Sequence, residues 1–301
     1  DDLKRAIAQH TGLPHGYSLM LGNGSDELIS ILSMACQMPG AVALAPEPGF
    51  VMYAMSAKLQ GLTYVPVSLR DDFELDEPAM TEAIAKHQPA IVYLAYPNNP
   101  TANLWDANVM RRLIAQVSAY GGWVVLDEAY TEYLSAEQRY DALQWIKKYP
   151  NLLVSRSMSK AYGLAGLRIG FGIAQPTLTD LLNRIRQPFN VNSLAQAAAI
   201  AALQDTAFLA RSAQVNTEGL AQLTAGLKAM GIDYVPSSGN FVLIRVGQDD
   251  GAGARVNLAL LKQGIIVRPV ANYGLPQWLR ISIGLPAENA AFITALQKAL
   301  G

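Results

Sequence analysis

Over about the first 200 residues of this 301-residue chain, short apolar runs rich in Val, Ile and Leu alternate with longer stretches of helical spacing. That rhythm predicts parallel strands joined by crossover helices. The clearest strands are Val42 to Leu44, Ala90 to Ala95, Trp123 to Leu126, Leu152 to Val154 and Ile169 to Ile173. Polar or Gly/Pro-rich residues follow each of them, and in an open α/β sheet ligands bind where the chain leaves the carboxyl ends of strands. From about Ala207 to Met230 the spacing predicts one long helix, ended by Gly231, and Tyr234 to Val246 opens a second strand region. The remainder, with strand signals at Ile265 to Val267 and Leu279 to Ile283, reads as a smaller α+β unit. The expected division is a large α/β domain over residues 1–210 and a small α+β domain over 211–301.

Composition narrows the class of partner. With 51% hydrophobic and 16% charged residues, the chain has the make-up of a well-buried globular enzyme and not of a disordered segment. Its 23 Lys and Arg nearly balance 24 Asp and Glu, so no global field attracts nucleic acid or an anionic membrane, and small molecules are the expected partners. Cys36 is the single cysteine, which excludes an internal disulfide and fits a reducing compartment, with the cytoplasm as the expectation. Its neighbours Ile31, Leu32, Met34 and Ala35 mark it as inert packing on the buried side of a helix. No apolar signal core follows Asp1-Asp2-Leu3-Lys4-Arg5, and no stretch approaches the roughly 20 apolar residues of a membrane span. His10, His15 and His87 lack metal-ligand spacing and read as structural or solvated. Because the chain opens without Met, a preceding segment is expected.

Four segments at strand ends carry chemistry. In the first, Leu19-Met20-Leu21-Gly22-Asn23-Gly24-Ser25-Asp26-Glu27, a strand-like run and a glycine turn lead into a helix, whose free amides favour an anion such as phosphate. Ser25 and Asp26 are equally ordinary N-cap residues. The second is Tyr96-Pro97-Asn98-Asn99-Pro100-Thr101, either a plain rigid turn or a turn presenting side-chain amides to a ligand. The third, Val124-Val125-Leu126-Asp127-Glu128-Ala129-Tyr130, sets a carboxylate at the end of a buried strand. There it can meet a metal, a ribose or a protonated ring nitrogen, or simply cap a helix. The fourth is Ser155-Arg156-Ser157-Met158-Ser159-Lys160-Ala161-Tyr162-Gly163-Leu164-Ala165-Gly166-Leu167-Arg168. A lone lysine is usually a solvated charge, but here it stands among small residues that let it approach a carbonyl, with serines and Arg168 to neutralise a phosphate.

Taken together, in this order and spacing, the four segments resemble the fold-type I aminotransferases that use pyridoxal 5'-phosphate, and the likeness extends over essentially the whole chain. The resemblance implies a mostly parallel seven-stranded sheet flanked by helices, with a smaller α+β C-terminal domain. It implies Lys160 as the lysine that carries the cofactor as a Schiff base, with Ser157, Arg168 and the backbone at Gly24, Ser25 and Asp26 holding the cofactor phosphate. Asp127 resembles the carboxylate paired with the pyridine nitrogen, Asn99 and Tyr130 the partners of the 3-oxygen, and Phe50 the aromatic stacked on the ring. Gly264-Ile265-Ile266-Val267-Arg268-Pro269 and Leu279-Arg280-Ile281-Ser282-Ile283-Gly284 are similar to the histidinol-phosphate aminotransferases. On that likeness Arg280 grips the substrate's α-carboxylate or equivalent oxygen, and Arg268 assists with a substrate phosphate. The implied reaction is amino transfer between L-histidinol phosphate and 2-oxoglutarate, within a homodimer.

Three departures stand out. Ala102 occupies a place where the family usually has glycine after Pro-Thr, Phe50 replaces the usual tyrosine, and the family's N-terminal arm has no counterpart before Asp1. The motifs alone leave three other readings open: a threonine-phosphate decarboxylase type of lyase, an aromatic amino acid aminotransferase, and an aminotransferase-like domain of a ligand-sensing regulator.

Overall fold

The computed structural model describes residues 1–13 and 15–301. Seven strands, β1 (Ser18–Gly22), β2 (Val42–Glu47), β3 (Thr63–Ser68), β4 (Ile91–Ala95), β5 (Trp123–Asp127), β6 (Leu152–Ser157) and β7 (Gly170–Ala174), form one sheet in the order β1-β7-β6-β5-β4-β2-β3. The five from β2 to β6 run parallel, whereas β7 is antiparallel to both β6 and β1. Each central strand feeds both faces. Val92 and Leu94, Val124 and Leu126, and Leu152 and Val154 enter one apolar core, while Ile91 and Tyr93, Val125 and Leu153 enter the other. Burial on both sides explains why these strands read as unbroken apolar runs.

Helices cover both faces: α1 (Asp2–Thr11), α2 (Ser25–Ala35), α3 (Val51–Leu59), α4 (Glu77–His87), α5 (Ala107–Ser118), α6 (Ala142–Lys148), α7 (Pro176–Ile185) and α8 (Ser193–Gln204). Their starts follow from side-chain caps. Asp106 accepts the amides of Asn108 and Val109 at 2.7 and 2.9 Å to begin α5, whose Met110, Leu113, Ile114 and Val117 form one buried stripe. Asn192 caps α8 in the same way.

The long helix α9 (Thr206–Ala229) starts on an Asp205 cap and leads to a second sheet, built from β8 (Phe241–Arg245), β9 (Arg268–Pro269) and β10 (Trp278–Ser282) in the antiparallel order β8-β10-β9. Leu223 and Leu227 of α9 pack here with Val242, Ile244, Leu279 and Ile281, under α10 (Ala252–Leu261) and α11 (Pro286–Leu300).

Three sequence expectations shift. The strand signal at Ile265 to Val267 is loop, with Ile266 84% exposed; the strand begins at Arg268 and stops at Pro269, whose missing N–H ends the ladder. The strand region from Tyr234 to Val246 contracts to Phe241–Arg245 plus one isolated bridge from Tyr234 to Ile244. Strand β3, absent from the expected set, lies at the sheet edge with a Pro66 in its middle and half-exposed side chains, a placement in which neither proline nor weak apolar patterning is excluded. Among the described residues no helix is long and apolar enough to cross a membrane.

Candidate active site

The carboxyl ends of β4, β5 and β6, the amino end of α2 and the β9–β10 side of the small sheet surround a cleft of about 240 Å³. Its lining includes Ser25, Asp26, Phe50, Asn99, Asp127, Tyr130, Ser157, Lys160, Arg168, Arg268 and Arg280. The remaining expected residue, Gly24, sits directly behind Arg168.

Strand register produces this convergence. Ala95 pairs with Asp127 and Asp127 with Ser155, so the ends of three neighbouring strands stop level and their following loops open on one side. Gly22 and Ser157 pair with Gly170 from either side, which brings the turn before α2 against the loop after β6.

One end of the cleft is built for an anion. Gly24, at φ 80°, holds the cap position of α2, and Ser25 and Asp26 are its first helical residues, so neither serves as the N-cap that its residue type allowed. No side chain caps this helix, whose first residues Ser25 and Asp26 line the cleft, and the uncapped amides and helix dipole of such an end favour an anion. The hydroxyls of Ser25 and Ser157 and the guanidinium of Arg168 stand beside them; Arg168 also lies 3.3 Å from the Asp26 carboxylate. A Cβ on Gly24 would stand 2.6 Å from Arg168 Nη2 and push that guanidinium aside, and the φ of 80° itself favours glycine.

The other end is a buried acid. Asp127 is 5% exposed and caps no helix. The Tyr53 hydroxyl donates to its Oδ2 at 2.8 Å and the Ala129 amide to its Oδ1 at 3.1 Å. Burial pushes the Asp127 carboxyl up to about 6, against the pull of these two donors. Tyr53 is the residue that the sequence reading missed. It follows Phe50 by three positions at the start of α3, one helical turn on, and that spacing was its only signal.

Lys160 projects between the two ends, its Nζ 5.7 Å from the centre of the Tyr130 ring. The cleft walls desolvate its amine and the Arg280 guanidinium repels it, so its proton affinity falls below that of an ordinary lysine despite Asp26. Arg280 itself lies 4.7 Å from the Phe241 ring centre and donates to Asn99 Oδ1 at 2.6 Å. The two asparagines therefore divide the two readings of their segment: Asn99 faces the cleft, whereas Asn98 does turn work, donating to Pro48 O and Thr101 Oγ1. Ala102 holds φ 62° while fully buried against Tyr130 and Phe241, so the positive angle that glycine would adopt freely is kept by an alanine. Tyr273, also unforeseen, lines the cleft beside Arg268 and Arg280. Cys36 is buried, and His10 hydrogen-bonds Tyr162 at 3.2 Å, away from the cleft.

The family model "Aminotransferase class I and II" matches residues 1–296. Histidinol-phosphate aminotransferase 2 of Ralstonia nicotianae is 56% identical over 298 residues, 99% of this chain and 79% of that protein. Histidinol-phosphate aminotransferase 1 of Cupriavidus pinatubonensis is 54% identical over 299 residues, 99% and 78% of the two chains. Among solved structures, the histidinol-phosphate aminotransferase of Clostridium acetobutylicum aligns with a TM-score of 0.90 at 25% identity, covering 99% of this chain and 88% of that one. The Sinorhizobium meliloti histidinol-phosphate aminotransferase, solved in complex with pyridoxal-5'-phosphate, gives 0.88 at 28% identity, with 99% and 80% covered.

Proposed function

This chain belongs to the class I and II aminotransferases, and we propose that it transfers an amino group between L-histidinol phosphate and 2-oxoglutarate, giving imidazole acetol phosphate and L-glutamate in histidine biosynthesis. The observation that carries the reading is the placement of Lys160 between an uncapped helix end and a buried carboxylate, with Arg280 at the same cleft.

The donor set fits pyridoxal 5'-phosphate. The α2 amides, Ser25, Ser157 and Arg168 would hold its phosphate, Asp127 its ring nitrogen, Asn99 and Tyr130 its 3-oxygen, and Phe50 the face of its ring. When bound, the cofactor supplies an electron sink for the carbanion at the donor's α-carbon. Asp127 would keep a proton on the ring nitrogen. Lys160 would hold the cofactor, and its amine would serve as the base for the donor's α-proton. Its depressed proton affinity keeps a neutral amine accessible for that task. Arg280 offers a planar fork for the carboxylate of the 2-oxo acid, and Arg268, exposed at the cleft mouth, suits a phosphate dianion. The proposal includes a homodimer, and a cytoplasmic setting in keeping with a single cysteine that has no partner for an internal disulfide.

A single turnover of cofactor-loaded protein with L-histidinol phosphate tests the assignment. Pyridoxamine phosphate should accumulate together with an equal amount of imidazole acetol phosphate. Carbon dioxide release from threonine phosphate would instead mark a lyase, and inertness toward L-histidinol phosphate would refute the substrate.

A further inference from the structure

Behind Asp127 lies a buried aromatic arrangement that the catalytic roles above do not use. Tyr53 is 2% exposed and stacks on Tyr93, with ring centres 4.5 Å apart and planes within 5°. Tyr93, fully buried on β4, is itself fixed by a hydroxyl contact to Ser33 of α2 at 3.0 Å. The phenol of Tyr53 thus has little freedom, and its hydroxyl is spent on Asp127 Oδ2. Ala129 holds the second oxygen. Every other titratable group facing Asp127 acts differently: Asp26 on α2 and the adjacent Glu128 repel its negative charge, Lys160 attracts it, and Tyr130 stays protonated.

We propose that Tyr53 is a positioning residue that keeps the proton shared between Asp127 and the cofactor's ring nitrogen on the nitrogen. The inference rests on the reading of Asp127 as the ring-nitrogen partner. The chemistry is a competition between two bases for one proton. A phenol donating to Oδ2 stabilises the carboxylate and lowers its proton affinity, which tilts the proton toward the ring. A carboxylate has about four acceptor sites, so Tyr53 and Ala129 leave room for the ring N–H while fixing the plane from which it is met. Without the phenol, a carboxylate already made basic by burial takes a larger share of the proton, and the ring loses cationic character and electron-withdrawing power.

The test uses holoenzyme loaded with cofactor labelled with nitrogen-15 in the ring. In Tyr53→Phe the stacked ring remains and only the donor is lost. Its ring-nitrogen shift should move toward the unprotonated value, and the rate of the amino-donor half-reaction should fall about tenfold, the scale of one hydrogen bond to a charged group. Tyr93→Phe, which removes a buried hydroxyl next to Tyr53 but keeps the stacked rings and the Tyr53 donor, should leave the shift where it is. An unmoved shift in Tyr53→Phe, or an equal movement in Tyr93→Phe, overturns the proposal. Asp127→Asn separates this failure from a deeper one: if that variant moves the shift and Tyr53→Phe does not, only the Tyr53 inference falls. If Asp127→Asn leaves it unmoved, the ring-nitrogen role of Asp127 falls, and the inference with it.

Discussion

Gly170 offers the sharpest test of how the sheet shapes the anion-binding end of the cleft. It lies in β7 between Gly22 and Ser157, and a Cβ built there would stand 2.4 Å from the Ser25 amide nitrogen and 2.7 Å from the Gly24 carbonyl carbon. Carbon atoms and their neighbours in packed interiors sit about 3.5 Å apart, so Gly170→Ala must displace the turn before α2 by about 1 Å. The obstacle is backbone, which cannot swing aside as a side-chain tip can. Gly170 has no positive φ, so the cost is steric and not conformational. Overpacking of this kind costs about 1–3 kcal/mol of stability. A displacement of that size also breaks a hydrogen bond from a helix amide to phosphate, worth about 1.5–3 kcal/mol because the acceptor is charged. In dissociation constant this is about a 10- to 150-fold loss of pyridoxal phosphate affinity. Gly172→Ala on the same strand is the control, since its Cβ would meet only Leu28 and Leu153 side chains at 3.4 Å or more. Equilibrium dialysis of cofactor against the two variants, with thermal unfolding of the cofactor-free proteins, separates affinity from stability. Wild-type affinity in Gly170→Ala, or an equal loss in Gly172→Ala, would refute the reasoning.

Three further outcomes follow from the site and its surroundings. Lys160→Ala should abolish turnover while leaving phosphate-end binding of pyridoxamine phosphate measurable by dialysis; normal turnover would remove the lysine from the mechanism. Asp127 titrates near 6 when folded, above its unfolded value of 3.8, so its buried charge costs stability above pH 6, and the cost fades as pH falls toward 4. The stability gap favouring cofactor-free Asp127→Asn over wild type should therefore widen by up to about 3 kcal/mol between pH 4 and pH 6 and level off above, and urea unfolding that gave a constant gap from pH 4 to 7 would contradict this. Arg156 pairs with Glu128, only 2% exposed, at 2.8 Å, so Arg156→Met should strand a buried carboxylate and lower stability by about 3–5 kcal/mol, much of it recovered in the double variant with Glu128→Gln.

The parts of this molecule legible in its sequence are those whose chemistry is local. Central strands announce themselves because both faces are buried, and Asn99, Asp127, Tyr130, Ser157 and Lys160 because each ends or closely follows such a strand. What escaped depends on neighbours distant in the chain. Tyr53 meets Asp127 across 74 positions, a contact that no window around either residue contains. β3 gains its place only by pairing with β2 at an edge, and Ile265 to Val267 lack a strand because no partner runs beside them. The antiparallel course of β1 and β7 is likewise a matter of pairing, invisible in runs that are apolar in either direction. The pair Asn98 and Asn99 shows the limit most closely: adjacent and identical, they part because one side chain faces Pro48 and the other Arg280.

The seam between β1 and β7 has a consequence in time. Gly22 and Gly170 come together only after nearly half the chain has been enclosed between them, and the cleft still waits for Arg280 from the far sheet. Such long-range closure is slow, because its loop entropy is spent before its contacts form. No partial chain that ends before Arg280 holds the complete cleft, although every cofactor residue lies before β7. Pyridoxal phosphate added to a refolding reaction should accordingly slow the unfolding limb of the kinetics and leave the folding limb unchanged: it arrives as a lock on a finished structure, not as its template.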